Sequence, residues 1–317
     1  MKVIDIIQQS KKTVFSFELL PPLKGHKADK LYRTIDELIE FNPQYINITT
    51  HRDEVEFREL PGGLMQKRTV RKRPGTVAIA AAIQHAYNIP VVPHLVCGGY
   101  SREETENMLL DLNFLGINNV LALRGDGLKS ESFFTSEPGG HSNARDLVTQ
   151  IVNLKQGIYL DPEIKNTAAL DFCVGVAGYP EKHFEAPNLD IDLLKLKEKV
   201  DAGADYVVTQ MFFDNQKYYD FVDRCRAIGI TVPIIPGIKP LAMMNQITVL
   251  PKLFSIDIPE AFACEVRKCK SNDEARAVGT EWAIMQSRDL IAHNVPCLHI
   301  YTYGISDNTR QIAKAVI

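Results

Sequence analysis

The sequence predicts a closed barrel of eight parallel strands, each followed by a helix, and three observations lead there. Short β-rich runs alternate with longer runs of helical periodicity along the whole chain. No stretch rich in Pro, Gly or Ser divides that alternation in two. An open doubly wound sheet would carry a G-x-G-x-x-G turn after its first strand, and Phe17-Glu18-Leu19-Leu20-Pro21-Pro22 stands there instead. The expected unit is one α/β domain, a single (β/α)8 barrel over residues 1–317.

In chain order the strands are expected at Thr13–Leu19, Tyr45–Thr49, Val91–Leu95, Asn119–Leu123, Asp171–Ala177, Tyr206–Thr209, Pro233–Ile238 and Leu298–Thr302. Helical patterns lie between them at Lys27–Phe41, Thr76–Asn88, Arg102–Leu115, Ala144–Lys155, Asp190–Ala202, Gln216–Ile228 and Met243–Leu253, with a last one from Ser306. An extra helix, Ser271–Asn294, precedes the eighth strand. Gly116, Gly203 and Gly229 each follow an apolar-periodic run, as left-handed C-terminal caps would. Ser101 with Glu104 reads as a capping box. Two segments, Arg52–Gly75 and Gly127–Asn143, interrupt the rhythm after strands two and four. Both would emerge at the C-terminal end of the barrel, where such folds build their sites, so both are candidate lids.

A net charge of -3 gives the chain no overall basic field, which removes the driving force for nonspecific nucleic-acid binding. No run approaches the ~20 apolar residues needed to span a bilayer, and Met1–Ser10 lacks the features of a signal peptide. The six cysteines contain no C-x-x-C pair, so a reducing, cytoplasmic setting is expected and no zinc site.

Polar and ionisable residues collect where strands end. Glu18 closes the first strand, Thr49 and Thr50 the second, His94 the third, Arg124 and Asp126 the fourth; Tyr179 and His183 follow the fifth, Gln210 closes the sixth, and Tyr301 lies in the eighth. A carboxyl at a barrel mouth, partly desolvated and near a second carboxylate, has its pKa raised and can hold a proton at neutral pH. Glu18 is the candidate proton donor. Arg124-Gly125-Asp126 joins a fixed cation, a residue that lets the backbone approach a ligand, and an anion; a structural Arg124–Asp126 ion pair is the bland alternative. The basic run Lys67, Arg68, Arg71, Lys72, Arg73 reads as solvated loop, or as a contact for a polyanionic tail hanging over the active face.

Taken in order, Phe17-Glu18 with Pro21-Pro22, Leu123-Arg124-Gly125-Asp126, Gly175 through His183, Lys197 through Asp205, Thr209 through Asp214, Ile235-Pro236-Gly237-Ile238 and Leu298 through Thr302 closely resemble the methylenetetrahydrofolate reductase family, bacterial type, catalytic domain only. The resemblance implies FAD lying across the strand ends, NAD(P)H as co-substrate and a folate as substrate, with neither nucleic acid nor membrane as partner; a homo-oligomer is compatible with it. It implies reduction of 5,10-methylenetetrahydrofolate to 5-methyltetrahydrofolate in two half-reactions, feeding methyl groups to methionine synthesis. Carried over, Glu18 matches the general acid and Asp126 the carboxylate at the flavin pyrimidine edge. Thr49, Thr50, His94, Arg124, Gly125, Asp126, Ala144, Tyr179, His183, Ala186, Asp192 and Lys199 match flavin contacts, and Gln210, Met244 and Tyr301 substrate contacts. The chain departs from the family at Lys195 and Glu198, where some bacterial members have Asn and Arg. It departs again at Met244, in place of a Phe, and at Tyr303-Gly304-Ile305, where Leu-Asn-Arg would supply a partner for the folate glutamate. A flavin-holding electron-transfer subunit and a flavin-free pterin methyltransferase barrel are the competing readings.

Overall fold

The computed structural model describes residues 1–128, 131, 133–302, 304 and 306–317; Tyr303 and Ile305 of the last departure, and part of the expected lid Gly127–Asn143, lie outside the described residues. The chain opens with α1 (Val3–Gln9), β1 (Val14–Leu19), α2 (Asp29–Leu38) with its 3-10 turn, β2 (Tyr45–Ile48), β3 (Glu54–Leu60) and β4 (Leu64–Val70). It continues through α3 (Thr76–Tyr87), β5 (Val91–Val96), α4 (Arg102–Phe114), β6 (Asn119–Leu123), α5 (Ala144–Lys155), β7 (Cys173–Gly178), α6 (Leu189–Asp201) and β8 (Tyr206–Thr209). It ends with α7 (Asn215–Ala227), β9 (Ile234–Ile235), β10 (Gly237–Ile238), α8 (Gln246–Phe254), α9 (Glu260–Lys268), α10 (Asn272–Ala292), β11 (Cys297–Tyr301) and α11 (Ser306–Val316).

The main sheet is parallel throughout, in the order β10-β11-β1-β2-β5-β6-β7-β8-β9. Its two ends, β9 and β10, are one stave split at Pro236, which has no N–H for a ladder. The Pro236 carbonyl accepts the His299 N–H at 3.2 Å, so the ring closes and the expected barrel forms. The expected strand Pro233–Ile238 is thus two short pieces for a chemical reason.

Strand alternation sorts the core into two layers. Phe15, Phe17, Leu19, Ile46 and Ile48 point outward into the shell of helices. Val14, Tyr45, Val92, Leu121, Cys173, Tyr206, Ile235 and Cys297 fill the barrel itself, plugged from below by Val3 and Ile6 of α1. The Asn119 side chain holds that plug, accepting the Val3 N–H at 2.8 Å and donating to the Met1 carbonyl at 3.1 Å. Two inward glycines make room for tyrosines: a Cβ on Gly175 would lie 2.5 Å from the Tyr206 ring, and one on Gly237 2.5 Å from the Tyr301 ring.

The expected helix caps are present. Ser101 and Glu104 form the reciprocal capping box, and Gly116, Gly203 and Gly229 all have positive φ. Three elements lie outside the expectation: α1, α9, and the antiparallel hairpin β3–β4, which occupies most of the segment read as a loop. The hairpin turns at Pro61-Gly62-Gly63, and both its faces are exposed. Among the described residues no helix is long and apolar enough to cross a membrane.

Candidate active site

The C-terminal ends of the strands ring a cavity of about 1170 Å³. Fifteen of the sixteen site residues expected from the sequence line it; the exception is Met244. The alternation that sends Phe17 outward sends Glu18 inward, one step above Ser16, paired in register with Asn47 and Tyr301. Thr302 Oγ1 donates to the Glu18 carbonyl at 2.6 Å. The Glu18 side chain is only 14% exposed, and burial pushes its carboxyl up to about 8.

His94 Nε2 lies 3.5 Å from Glu18 Oε2. That distance would suit an ion pair, but burial pulls the imidazole down to about 3, aided by His299 and His51. Near neutral pH the contact therefore joins a protonated carboxyl to a neutral ring. Asn47 Nδ2 stands 3.3 Å from the same Nε2, and Thr50 Oγ1 donates to the His94 carbonyl at 2.6 Å. Asp126 faces the same cavity from the end of β6, on an exposed turn made possible by Gly125 at φ +81°.

Arg124 does not make the ion pair with Asp126 that is the bland alternative to a ligand role. Its guanidinium clamps Glu185 with two N–H groups, one at 3.0 Å, and lies 5.0 Å over the Phe134 ring. The Arg124–Asp126 ion pair is absent; in its place the bond reaches across to the loop after β7. That loop braces itself: Asp192 Oδ2 accepts the His183 N–H at 2.9 Å, and the His183 ring meets the Tyr179 ring edge-on at 4.8 Å. Burial, then Arg124, holds His183 below the usual histidine range, and burial raises the Tyr179 phenol. Lys199 is buried, donates to the Ala177 carbonyl at 2.5 Å and is pulled down to about 8 by desolvation. Ala144 sits at the N-terminus of α5, where Asn143 caps the helix by accepting the Asp146 N–H, and Asn143, Ala144 and Arg145 all line the cavity.

The departures from the family resolve unevenly. Lys195 and Glu198 both line the cavity and pair with one another at 2.8 Å. Met244 lies half-buried against the cluster of Met211, Phe213, Leu241 and Leu250, its N–H bonded to Asn272 Oδ1 at 3.0 Å; Phe254, at the end of α8, reaches the cavity wall instead. Sequence reasoning also misses His51, which follows Thr49-Thr50 directly. Burial and Arg73 lower its imidazole while Asp126 opposes them. Gln210 turns its Oε1 back onto the Met211 N–H at 2.9 Å, and Tyr301 donates to the Thr209 carbonyl at 2.6 Å.

Known proteins share the fold and the sequence pattern of this chain. A protein of Clostridium thermocellum, described as binding two copies of 5-methyl-5,6,7,8-tetrahydrofolic acid, shares the fold at a TM-score of 0.56 and 14% identity, covering 98% of this chain and 97% of that one. A 5,10-methylenetetrahydrofolate reductase of Salmonella typhimurium (strain LT2) is 31% identical over 302 residues, covering 95% of this chain and 90% of that protein. The methylenetetrahydrofolate reductase (NADH) 1 of Arabidopsis thaliana is 33% identical over 318 residues, 96% of this chain but 49% of that protein, so this chain spans about half the length of such relatives. The family profile of methylenetetrahydrofolate reductase matches residues 2–316. The chain belongs to the methylenetetrahydrofolate reductase family.

Proposed function

We propose that this chain, as one barrel domain, is a cytoplasmic enzyme that reduces 5,10-methylenetetrahydrofolate to 5-methyltetrahydrofolate, with FAD as cofactor and NAD(P)H as electron donor in two successive half-reactions, its product feeding methyl groups to methionine synthesis. The observation that carries the reading is a carboxyl kept protonated near neutral pH, Glu18, facing the same cavity as the exposed carboxylate Asp126.

The residues present suit a flavin dinucleotide. The cavity exceeds the ~300–1,000 Å³ of common small-molecule sites, leaving space for a cofactor and a second reactant. The lining includes Lys199, the N-terminus of α5, and Arg124 and Arg145, whose guanidiniums also hold Glu185 and Asp146, a combination suited to a diphosphate. Gly125, whose Cβ position would lie 3.1 Å from Val96 Cβ, lets the turn that carries Asp126 pack close against β5. When bound, FAD would supply the two-electron chemistry between NAD(P)H and the folate methylene.

The protein's own residues carry the protons and the charge. Glu18 donates its proton to a folate nitrogen as the five-membered ring opens; the broken C–N bond leaves its electron pair on that nitrogen and a cationic iminium on the carbon side. Asp126 stabilises that cation electrostatically, and the hydride then completes the methyl group. His94, itself bonded by Asn47, holds the Glu18 carboxyl in place.

Purified protein should be yellow, bleach with NADH or NADPH, and regain colour with methylenetetrahydrofolate; a protein that binds no flavin, or that bleaches without recovering, sinks the reading. Asp126→Asn should slow folate reduction by roughly tenfold or more and raise the midpoint potential of the bound flavin, because a nearby negative charge disfavours added electron density. Dye-equilibration titration measures the second effect, and an unchanged potential would remove Asp126 from the flavin's neighbourhood.

A further inference from the structure

The cavity is lined by four arginines, and three of them have acidic partners. Arg52 bonds Glu131 at 3.2 Å and Glu137 at 2.7 Å, Arg124 clamps Glu185, and Arg145 pairs with Asp146 at 2.8 Å. Arg73 differs. It is half-buried at the foot of the β3–β4 hairpin, and among the described residues no carboxylate lies within ion-pair distance of it.

What Arg73 does have is an anchor. Nη1 donates to the Pro21 carbonyl, and the Lys24 N–H binds the neighbouring Lys72 carbonyl at 2.7 Å, so the hairpin foot is stitched to the loop after β1. A guanidinium carries five N–H donors in a rigid fork, and among the described residues this one donates to protein from a single arm. Burial weakens its hold on the proton, and no neighbouring charge offsets that effect. A partly desolvated cation without a counter-ion gains by pairing with an anion, and Arg73 stands in the wall of the ligand cavity. His51, on the same wall, feels the charges of both Arg73 and Asp126, which puts the cation within electrostatic reach of the proposed reaction centre.

We propose that Arg73 is the receptor for a carboxylate or phosphate group of a reactant bound in the cavity. The inference rests on the reading under Proposed function, in which both reactants are anions: the folate bears glutamyl carboxylates and NAD(P)H bears phosphates. The fork matches either group bidentately.

The test titrates flavin-loaded wild-type protein, Arg73→Gln and Arg73→Lys with 5-methyltetrahydrofolate, NADH, NADPH and a tetrahydropterin lacking the glutamyl carboxylates. Arg73→Gln should weaken at least one charged ligand by roughly 10- to 100-fold and leave the tetrahydropterin within about twofold, with Arg73→Lys in between. Loss confined to 5-methyltetrahydrofolate assigns a carboxylate; loss for both nucleotides assigns the diphosphate, and loss for NADPH alone its extra phosphate. Equal affinities in all proteins overturn the proposal, as does a parallel loss that includes the tetrahydropterin, which would mean that Arg73 only braces Pro21. Should Arg73→Gln fail to fold, Arg73→Lys carries the same comparison, because it keeps the charge and loses the fork. Wild-type protein that binds none of these ligands would defeat the functional reading itself, whereas equal binding by wild type and variants defeats the anion receptor alone.

Discussion

Replacing Glu18 by Gln should lower the rate of folate reduction by about 10²–10⁴-fold while leaving reduction of the flavin by NAD(P)H within about twofold, since only the first needs a proton delivered to a leaving nitrogen. Stopped-flow absorbance separates the two half-reactions, and equal loss in both would remove the assigned role. The wild-type rate of folate reduction should fall as pH rises through about 8, where the buried carboxyl loses its proton. The same burial makes a stability prediction with the same direction in pH. Because the folded carboxyl titrates near 8 and the ordinary value is 4.5, the folded chain holds a proton that the unfolded chain has released between those two pH values. Stability from this group is therefore full below about 4.5 and is lost as pH rises through about 8. Glu18→Gln, which has no charge to bury, should be more stable than wild type at a pH of about 8.5 by roughly 1–3 kcal/mol and near equal to it at about pH 4. Urea unfolding at the two pH values measures the difference; a variant less stable at both would mean that the carboxyl is not held neutral by its surroundings.

Gly237→Ala should be among the most damaging conservative changes in the barrel. Its Cβ would fall 2.5 Å from the Thr209 carbonyl and 2.6 Å from the Tyr301 hydroxyl, the two groups that hydrogen-bond each other at 2.6 Å. Backbone on one side cannot move without disturbing β8, so the ring must give way, and the bond breaks with it. Overpacking and a lost buried hydrogen bond together should cost about 2–4 kcal/mol. Because Tyr301 lines the cavity, folate affinity should fall as well. Gly116→Ala is the contrasting case: its φ is positive, at +69°, where that of Gly237 is not, and nothing lies within 4 Å of where the new Cβ would stand, so strain alone acts. A loss of about 1 kcal/mol is expected there. Thermal unfolding of the pair checks the argument, and a loss at Gly237 no larger than that at Gly116 would mean that the barrel absorbs the added methyl without overpacking.

Much of the fold is legible in the sequence because it is written in local patterns. Strand periodicity locates β1, β6 and β8 to within a residue, glycine stops end helices where left-handed caps occur, and the Ser101–Glu104 box opens α4. The hairpin escapes such a reading although Pro61-Gly62-Gly63 is a turn signal, because both its faces are solvated and neither strand shows the half-buried alternation that marks a sheet with a core. Helix α9 escapes it for a different reason: its buried Phe262 and Val266 find their partners in a cluster that includes Leu250 of α8 and Ala275 of α10, distant in sequence from any strand of the barrel.

Local pattern alone settles that parallel strands end in polar residues, and hence that Glu18 and Asp126 share one end of a barrel, since a parallel sheet allows no other arrangement. Only the assembled fold settles which charges meet: Arg124 with Glu185 rather than Asp126, Phe254 rather than Met244 in the wall, and Arg73 carried into the cavity without a carboxylate. Strand direction is a local property repeated along the chain, whereas pairing between loops depends on how each one crosses the barrel mouth. Arg124 and Glu185, 61 positions apart in sequence, are brought together there with no periodicity to announce it.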